Sequence, residues 1–175
     1  HQLAPWTRAL VETGATITLD RAEYVTALAR QASALHERLG GGEELAVSYR
    51  PSVRADGPQS EDDLAAAFYE ALEAREAEER ARGVTLVGPH RDDLSLKVAD
   101  VDLRRFGSQG QQRTAALALT LAQANVARGR AHTDPMLLLD DCLSELDADR
   151  AGAMLDLSAH YEQMIVTTAC CPEAL

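Results

Sequence analysis

Apolar residues recur at helical spacing through the first 40 positions. Leu3, Trp6 and Leu10 form a short stripe that Gly14 would end. A second stripe begins near Asp20, a plausible helix N-cap, and its apolar positions alternate in steps of three and four: Val25, Leu28, Ala32, Leu35 and Leu39. Because two heptads are too few for a long coiled coil, the pattern predicts a short helical hairpin that stops at the glycine run 40–42.

The period then changes to two. Leu45, Val47 and Tyr49 alternate with polar or small residues, which predicts a half-buried strand closed by Pro51. Ser60 is positioned to cap a following helix that Gly83 ends. The distal part of this helix, residues 73–82, is charged on nearly all sides and indicates a solvated face rather than a specific binding patch.

Strand patterns dominate the next segment. Alternating apolar residues from Val84 to Leu103 predict strands, with a tight hairpin at Ala99-Asp100. Further on, a helix with little polar surface covers 115–126, and the continuous apolar run 136–139 is typical of a central parallel strand covered on both faces. A helix near 147–157 and a strand over 164–167 complete a strand-helix-strand unit, which indicates an α/β fold.

Composition limits the possible kinds of protein only in part. The 175 residues can form one ordinary domain, or one lobe with a subdomain, and the absence of an initial methionine suggests a fragment. A formal net charge of -11 argues against broad electrostatic attraction to nucleic acid, although a local basic face is compatible with it. No apolar run approaches the roughly 18 residues of a membrane span. Three cysteines without framework spacing, including the vicinal pair Cys170-Cys171, fit a reducing cytoplasm and lack the partners of a zinc site.

Two stretches carry candidate chemistry. The glycine-broken turn 106–114 opens a helix, so its free amides and positive helix end could hold an anion. The apolar strand 136–139 ends in Asp140 and Asp141, where Asp140 could hold a magnesium ion and Asp141 could orient or deprotonate a water. Adjacent aspartates also occur as plain caps and turn residues. The pairing of an anion cradle with a hard-cation site is what phosphoryl chemistry requires.

Two further polar clusters allow either a functional or a structural interpretation. His90, Asp92 and Asp93 lie in the turn Gly88–Asp93 and could ligate a metal, although a hydrogen-bonded turn is the simpler interpretation. Arg104 and Arg105 are adjacent and could contact DNA, or they could be ordinary surface arginines.

Taken together, the motifs resemble a known family. The segments are Gly88-Pro89-His90-Arg91-Asp92-Asp93-Leu94, the turn 106–114, and the strand 137–141 followed by Ser144-Glu145-Leu146-Asp147. They are similar to the bacterial recombination-repair RecF family, whose ATPase head is of the ABC type. This resemblance implies an α/β fold, the C-terminal lobe of an ABC-type P-loop ATPase head, with a mostly helical arm subdomain. It places the arm at residues 1–83 and the lobe with signature motif, Walker B strand and D-loop at 84–175.

The resemblance also implies roles for individual residues. Ser108, Gln109, Gly110 and Gln111 would form the signature turn that contacts ATP bound by a partner subunit. Asp140 would take the Walker B role at Mg²⁺, and Asp141 would stand where such enzymes place a catalytic glutamate. Ser144 and Asp147 would form the D-loop at the dimer interface, with Asp147 passing information between the two nucleotide sites.

Two departures from the pattern limit what the chain can do alone. No G-x-x-x-x-G-K-[ST] sequence occurs, so the P-loop is expected upstream in a longer protein and the fragment should hydrolyse ATP hardly at all. Thr167-Thr168-Ala169 stands where transporter ATPases place a histidine, which together with Asp141 suggests slow turnover.

The family further implies binding to duplex DNA next to single-strand gaps as an ATP-bound homodimer, action with RecR and RecO, help in loading RecA, and no membrane association. Two other hypotheses remain: a DNA-binding module in which ATP only drives dimerisation, and another SMC-like ATPase head. The short arm argues against SMC proteins proper.

Overall fold

The computed structural model describes residues 4–40, 42–55, 60–131, 133–143 and 146–168. Along the chain its elements are α1 (Ala4–Arg38), β1 (Leu45–Arg50), α2 (Glu61–Arg82), a 3₁₀ turn (Pro89–Arg91), β2 (Asp93–Val98), β3 (Val101–Asp102), α3 (Leu103–Phe106), α4 (Gln109–Ala131), β4 (Leu137–Asp140), α5 (Ala148–Ser158) and β5 (Met164–Thr167). These elements mix helices with short sheets, in agreement with the predicted fold class.

The chain packs as two compact units. One comprises His1–Thr26 with Ser48–Ser95, and the other comprises Ala27–Val47 with Leu96–Leu175. We refer to them as the first and second units. The division into a helical arm at residues 1–83 and an ATPase lobe at 84–175 stays a prediction.

Helix α1 is continuous over 35 residues, so the predicted helical hairpin is wrong. Gly14 does not end a helix. A methyl group on its Cα would lie 3.1 Å from Cζ of the fully buried Phe68, which shows that glycine allows close packing here. Asp20 lies inside the helix and caps nothing. The apolar seam predicted for the second helix is nevertheless buried throughout: Val25, Leu28, Ala32, Leu35 and Leu39.

The first unit has its own hydrophobic core. The core is formed by Val11, Ala15, Val53, Leu64, Phe68 and Val87. Helix α2 starts with a complete capping box, in which the Ser60 hydroxyl accepts from the Asp63 amide and the Asp63 side chain accepts from the Ser60 amide. It ends at Gly83, which adopts the left-handed conformation at φ 66°. Both predicted ends of this helix are therefore confirmed.

The predicted hairpin forms at Ala99-Asp100. Both residues have positive φ, 49° and 64°, as a two-residue type I′ turn requires, and strands β2 and β3 pair antiparallel on either side. Strand β2 continues in a three-stranded sheet in the order β1-β2-β3.

Two strand predictions around the hairpin are wrong. Residues 84–86 form no strand, although their apolar residues alternate. Val84 is exposed, so this alternation does not mark a buried face. Leu103 begins helix α3 because Asp102 caps it, with the Asp102 carboxylate accepting from the Arg105 amide at 3.0 Å.

The second unit contains the predicted parallel pair. Strands β4 and β5 pair in parallel, with Leu137 opposite Met164 and Asp140 opposite Thr167. Only one face of β4 is buried, since Leu138 is 65% exposed and Ile165 of β5 is 54% exposed. The prediction that both faces are covered is not met in the described residues. This leaves a contiguous apolar strip on the other face.

Tyr161 anchors the chain just before β5. Its hydroxyl donates to the carbonyl of Leu121 at 3.2 Å or to Oδ1 of Asn125 at 2.9 Å, both on helix α4. The guanidinium of Arg128 lies over its ring, 5.4 Å from the centroid. These contacts join the segment just before β5 to helix α4.

Candidate functional site

The turn that opens helix α4 is built from close backbone packing. A methyl group on Gly107 would lie 2.5 Å from the carbonyl oxygen of Leu103 and 2.6 Å from its Cδ1, so only glycine fits. The Gln112 side chain then donates to the Leu103 carbonyl at 3.0 Å and to the Gly107 carbonyl at 3.2 Å. The chain is thus folded back on the end of α3 before α4 begins.

Ser108 and Gln111 form a capping box at the start of α4. The Gln111 amide donates to the Ser108 hydroxyl at 3.2 Å, and the Ser108 amide donates to Oε1 of Gln111 at 2.9 Å. The Ser108 hydroxyl oxygen and Oε1 of Gln111 are therefore engaged within the turn. The amides of Gln109 and Gly110 belong to the first helical turn, which has no intrahelical acceptor for them. These two amides are the groups that the turn can offer to an anion.

Two side chains distant in sequence support this turn. Nε2 of Gln111 donates to Oε2 of Glu43 at 2.9 Å. Arg150 of helix α5 lies beside Gly110, since a methyl group on that glycine would be 3.5 Å from its Nη1. Nε of Arg150 is also 3.5 Å from Oδ2 of Asp147. An anion at this turn would therefore lie close to one guanidinium.

Asp140 and Asp141 lie at the end of strand β4 and are both exposed. The Thr167 hydroxyl donates a short hydrogen bond to Oδ1 of Asp140. The Asp141 amide donates to the carbonyl and to the hydroxyl oxygen of Thr167, each at 3.0 Å. Asp141 has a φ of 48°, in the left-handed region that costs energy for residues with a side chain. The predicted carboxylate pair is thus present at the strand end, with its second residue in a strained conformation.

The donor set at this strand end suits a magnesium ion. Carboxylate and hydroxyl oxygens are hard ligands, and a nucleotide-associated Mg²⁺ is usually held by one or two carboxylates together with substrate phosphates. In the described part of the chain no group of three histidine, cysteine, aspartate or glutamate side chains is placed to hold a metal by itself.

Of the two predicted D-loop residues, Ser144 lies outside the described residues. Asp147 is the N-cap of helix α5, where its carboxylate accepts from the Arg150 amide at 2.9 Å. This contact gives Asp147 a structural task, while its role at a dimer interface stays a prediction.

The turn that contains His90 is a hydrogen-bonded structure. Asp92 accepts from the Tyr49 hydroxyl, from Arg21 at 3.0 Å and from the Ser52 amide at 2.8 Å. A ring nitrogen of His90 lies 3.0 Å from the carbonyl of Thr85. Burial, together with the hydrogen bond to Asp92, raises the pKa of Tyr49 to about 12. Because the Asp92 oxygens are occupied by protein donors, this turn fits a structural role better than a metal site.

Cys142 follows the two aspartates and packs against Met154, with the two sulfur atoms 3.7 Å apart. Burial raises the pKa of its thiol, and the carboxylates of Asp141 and Asp140 raise it further. Both effects favour the neutral thiol over the thiolate.

Sequence reasoning missed three residues that contact the predicted motifs. They are Glu43, Arg150 and Thr167. For Thr167 a signal was available, since parallel strands that end together bring their last residues side by side. Nothing in the local pattern points to Glu43 or Arg150. Arg104 and Arg105 are exposed on α3, and their contact with DNA stays a prediction.

Helix α4 with its capped signature turn, and the parallel strand that ends in two aspartates, together define the C-terminal lobe of an ABC-type ATPase head. Comparison with known proteins narrows this class. The chain is 42% identical over 160 residues to the DNA replication and repair protein RecF of Halalkalibacterium halodurans, covering 91% of this chain and 43% of the relative. It is 41% identical over 169 residues to RecF of Chloroflexus aggregans, covering 96% of this chain and 43% of the relative.

Solved structures agree. A structure of the recombination mediator protein RecF with ATP, from the RecFOR pathway, matches with a TM-score of 0.84 and 29% identity, covering 99% of this chain and 46% of that one. No protein-family model matches. The predicted resemblance to RecF is thus confirmed: the chain is homologous to the C-terminal portion of RecF and spans a little under half the length of the relatives it matches. None of the described helices is long and apolar enough to cross a membrane.

Proposed function

We propose that this chain is the signature and Walker B lobe, with arm, of a RecF-like DNA repair ATPase. The longer protein that contains it, here called the parent protein, binds ATP and dimerises around it. The dimer then binds duplex DNA beside single-strand gaps and, together with RecO and RecR, helps to load RecA. A cytoplasmic location is part of the proposal, and the cysteine usage supports it.

The observation that carries the proposal is the capping box at the start of α4. Ser108 and Gln111 satisfy each other, so the turn keeps its shape before any ligand arrives. The amides of Gln109 and Gly110 are left for the γ-phosphate of ATP bound by the partner subunit. A preformed half-site of this kind supports an ATP-dependent homodimer.

The carboxylate pair would hold the metal ion and orient the attacking water. Asp140 would hold Mg²⁺, and Asp141 would orient the attacking water. When bound, the magnesium ion would neutralise charge on the transferred phosphoryl group. Because the 175 residues contain no P-loop sequence, the nucleotide these carboxylates serve must be held by another part of the parent protein. The parent protein is expected to be a weak ATPase, and this chain alone to be inactive.

The substitution Ser108→Arg in the parent protein tests the role of the turn. A large side chain here would fill the space in which the partner's phosphate approaches the amides. We expect ATP-dependent dimerisation, measured by light scattering with ATP and Mg²⁺, to be lost, while ATP binding at the protein's own P-loop is unchanged.

Ser108→Ala is the matched control. It removes the same helix cap, at a cost of about 1 kcal/mol, but adds no bulk. It should dimerise nearly as well as the unmodified protein because the backbone amides remain. Dimerisation that survives Ser108→Arg would contradict the proposed role of the turn.

A further inference from the structure

Thr167 contacts both members of the carboxylate pair. It is the last residue of β5 and lies opposite Asp140 in the parallel register. Its hydroxyl and its carbonyl together make three hydrogen bonds, all to Asp140 or Asp141. The side chain itself is exposed, so it contributes little to the hydrophobic core.

The direction of each hydrogen bond is fixed by chemistry. An ionised carboxylate only accepts and a backbone amide only donates. The single hydroxyl hydrogen of Thr167 must therefore go to Oδ1 of Asp140, and its lone pairs receive the Asp141 amide. One threonine side chain thus orients the carboxylate of Asp140 and also holds the backbone of Asp141.

The contact has a consequence for each aspartate. Oδ1 of Asp140 is engaged by Thr167, and no described residue donates to Oδ2, so Oδ2 can face a cation. Asp141, for its part, is kept at a φ of 48° by an amide that is bonded to two oxygen atoms of Thr167. A conformation in this region persists only where its surroundings enforce it.

We propose that Thr167 is a positioning residue for the Asp140-Asp141 pair, which it aligns for Mg²⁺ and for the attacking water. The inference rests on the proposed function of the parent protein. Groups that orient a metal ligand typically affect metal affinity or activity about 10-fold to 100-fold when removed. Its partners, rather than any packing role, set this residue apart from the rest of β5.

The test compares Thr167→Val with Thr167→Ser in the parent protein. Valine keeps the branched shape and favours a strand, but it cannot make the hydroxyl bonds. Serine keeps the hydroxyl. We expect Thr167→Val to lower kcat for ATP hydrolysis about tenfold, as for other residues that orient a metal ligand, with Thr167→Ser close to the unmodified protein.

A second measurement does not depend on turnover. The rise in Tm of the ATP-bound parent protein on titration with Mg²⁺ reports metal affinity. Thr167→Val should need about tenfold more Mg²⁺ for the same rise, whereas ATP-dependent dimerisation in excess Mg²⁺ should be unchanged. Thr167→Ser should restore the normal titration.

Two outcomes would overturn the inference. One is a Thr167→Val protein with normal hydrolysis and a normal Mg²⁺ titration, and the other is a Thr167→Ser protein as defective as the valine variant. Asp140→Asn separates this from a failure of the proposed function. If Asp140→Asn is inactive while Thr167→Val is normal, only the positioning role is wrong. If both variants are fully active, the assignment of Asp140 is also wrong.

Discussion

The two candidate motifs of the second unit are built in different ways. The signature turn is held mainly by neighbours in sequence, because Ser108 and Gln111 are three residues apart and cap each other. The Asp140-Asp141 strand end is held by Thr167, 26 to 27 residues further along the chain. The first motif therefore depends mainly on contacts near the start of α4, whereas the second needs β5 in its place.

The motifs also differ in strain. The signature turn meets its steric demand with Gly107, where no other residue fits. The strand end places Asp141, a residue with a side chain, in the left-handed region. Residues held in such conformations cluster at active sites and at ligand-binding sites. The two motifs therefore differ in that one contains a tightly packed glycine and the other a strained aspartate.

The largest effect is expected from Asp140→Asn in the parent protein. ATP hydrolysis should fall at least about 100-fold, the size of loss seen when a group that stabilises charge at the reacting centre is removed. Because the signature turn is untouched, ATP-dependent dimerisation should remain. Turnover and dimer mass measured on the same sample test both expectations, the loss of hydrolysis and the unchanged dimerisation. Undiminished turnover would remove Asp140 from the mechanism.

Asp141→Gly should change stability and activity in opposite directions. Glycine accepts a positive φ without steric cost, and after its loss of chain entropy the free energy of unfolding should still rise by up to about 1 kcal/mol. The loss of the carboxylate should lower hydrolysis about 100-fold, the lower end of the range for removal of a general base.

Asp141→Asn provides the control for this change. Asparagine tolerates the left-handed region and keeps the size of the side chain, so activity should fall without a gain in stability. Denaturant unfolding of both variants measures the change in stability, and their ATP turnover measures the change in activity. A glycine variant that is less stable than the unmodified protein would argue against strain at this position.

A smaller effect is the pH dependence of stability that His36 is expected to cause. His36 is 1% exposed, and its Nδ1 lies 3.0 Å from the carbonyl of Glu43, the residue whose side chain contacts Gln111. Its Nε2 is buried without a hydrogen-bond partner among the described residues. Burial lowers the pKa of His36, and the charge of Arg150 lowers it further, although Glu43 acts in the opposite direction.

The sign of the pH effect follows from that direction. A histidine with a lowered pKa binds its proton more weakly in the folded state than in the unfolded state. Its contribution to the free energy of unfolding is therefore complete above the unfolded pKa of about 6.5 and is lost as pH falls through the folded pKa. The Tm should drop more between pH 7.5 and pH 5 in the unmodified protein than in His36→Asn, which keeps a donor but does not titrate. Equal drops would contradict this account of His36.

Much of the local structure could be predicted because its causes are local. The capped helix α2, the hairpin at Ala99-Asp100 and the parallel β4-β5 pair follow from caps, turn residues and apolar periods. The break expected at Gly14 does not occur because the reason for that glycine is Phe68, more than 50 residues away. Likewise the candidate residues of both motifs were predicted, but Thr167, Glu43 and Arg150 act through contacts that only the folded chain creates.

The central claim is that the two motifs serve different active sites of one dimer. Mixing two inactive parent proteins, one carrying Ser108→Arg and the other Asp140→Asn, tests it directly. In a mixed dimer, the intact Asp140 of one subunit meets the intact signature turn of the other. In a mixed dimer Ser108→Arg blocks one of the two sites, whereas in its homodimer it blocks both, so mixed dimers are expected to form. We predict that mixing restores ATP hydrolysis to at most about half of the normal rate, since each mixed dimer has one complete site of two. A mixture as inactive as its two components would contradict the account, because motifs that serve the same site within one subunit cannot complement each other.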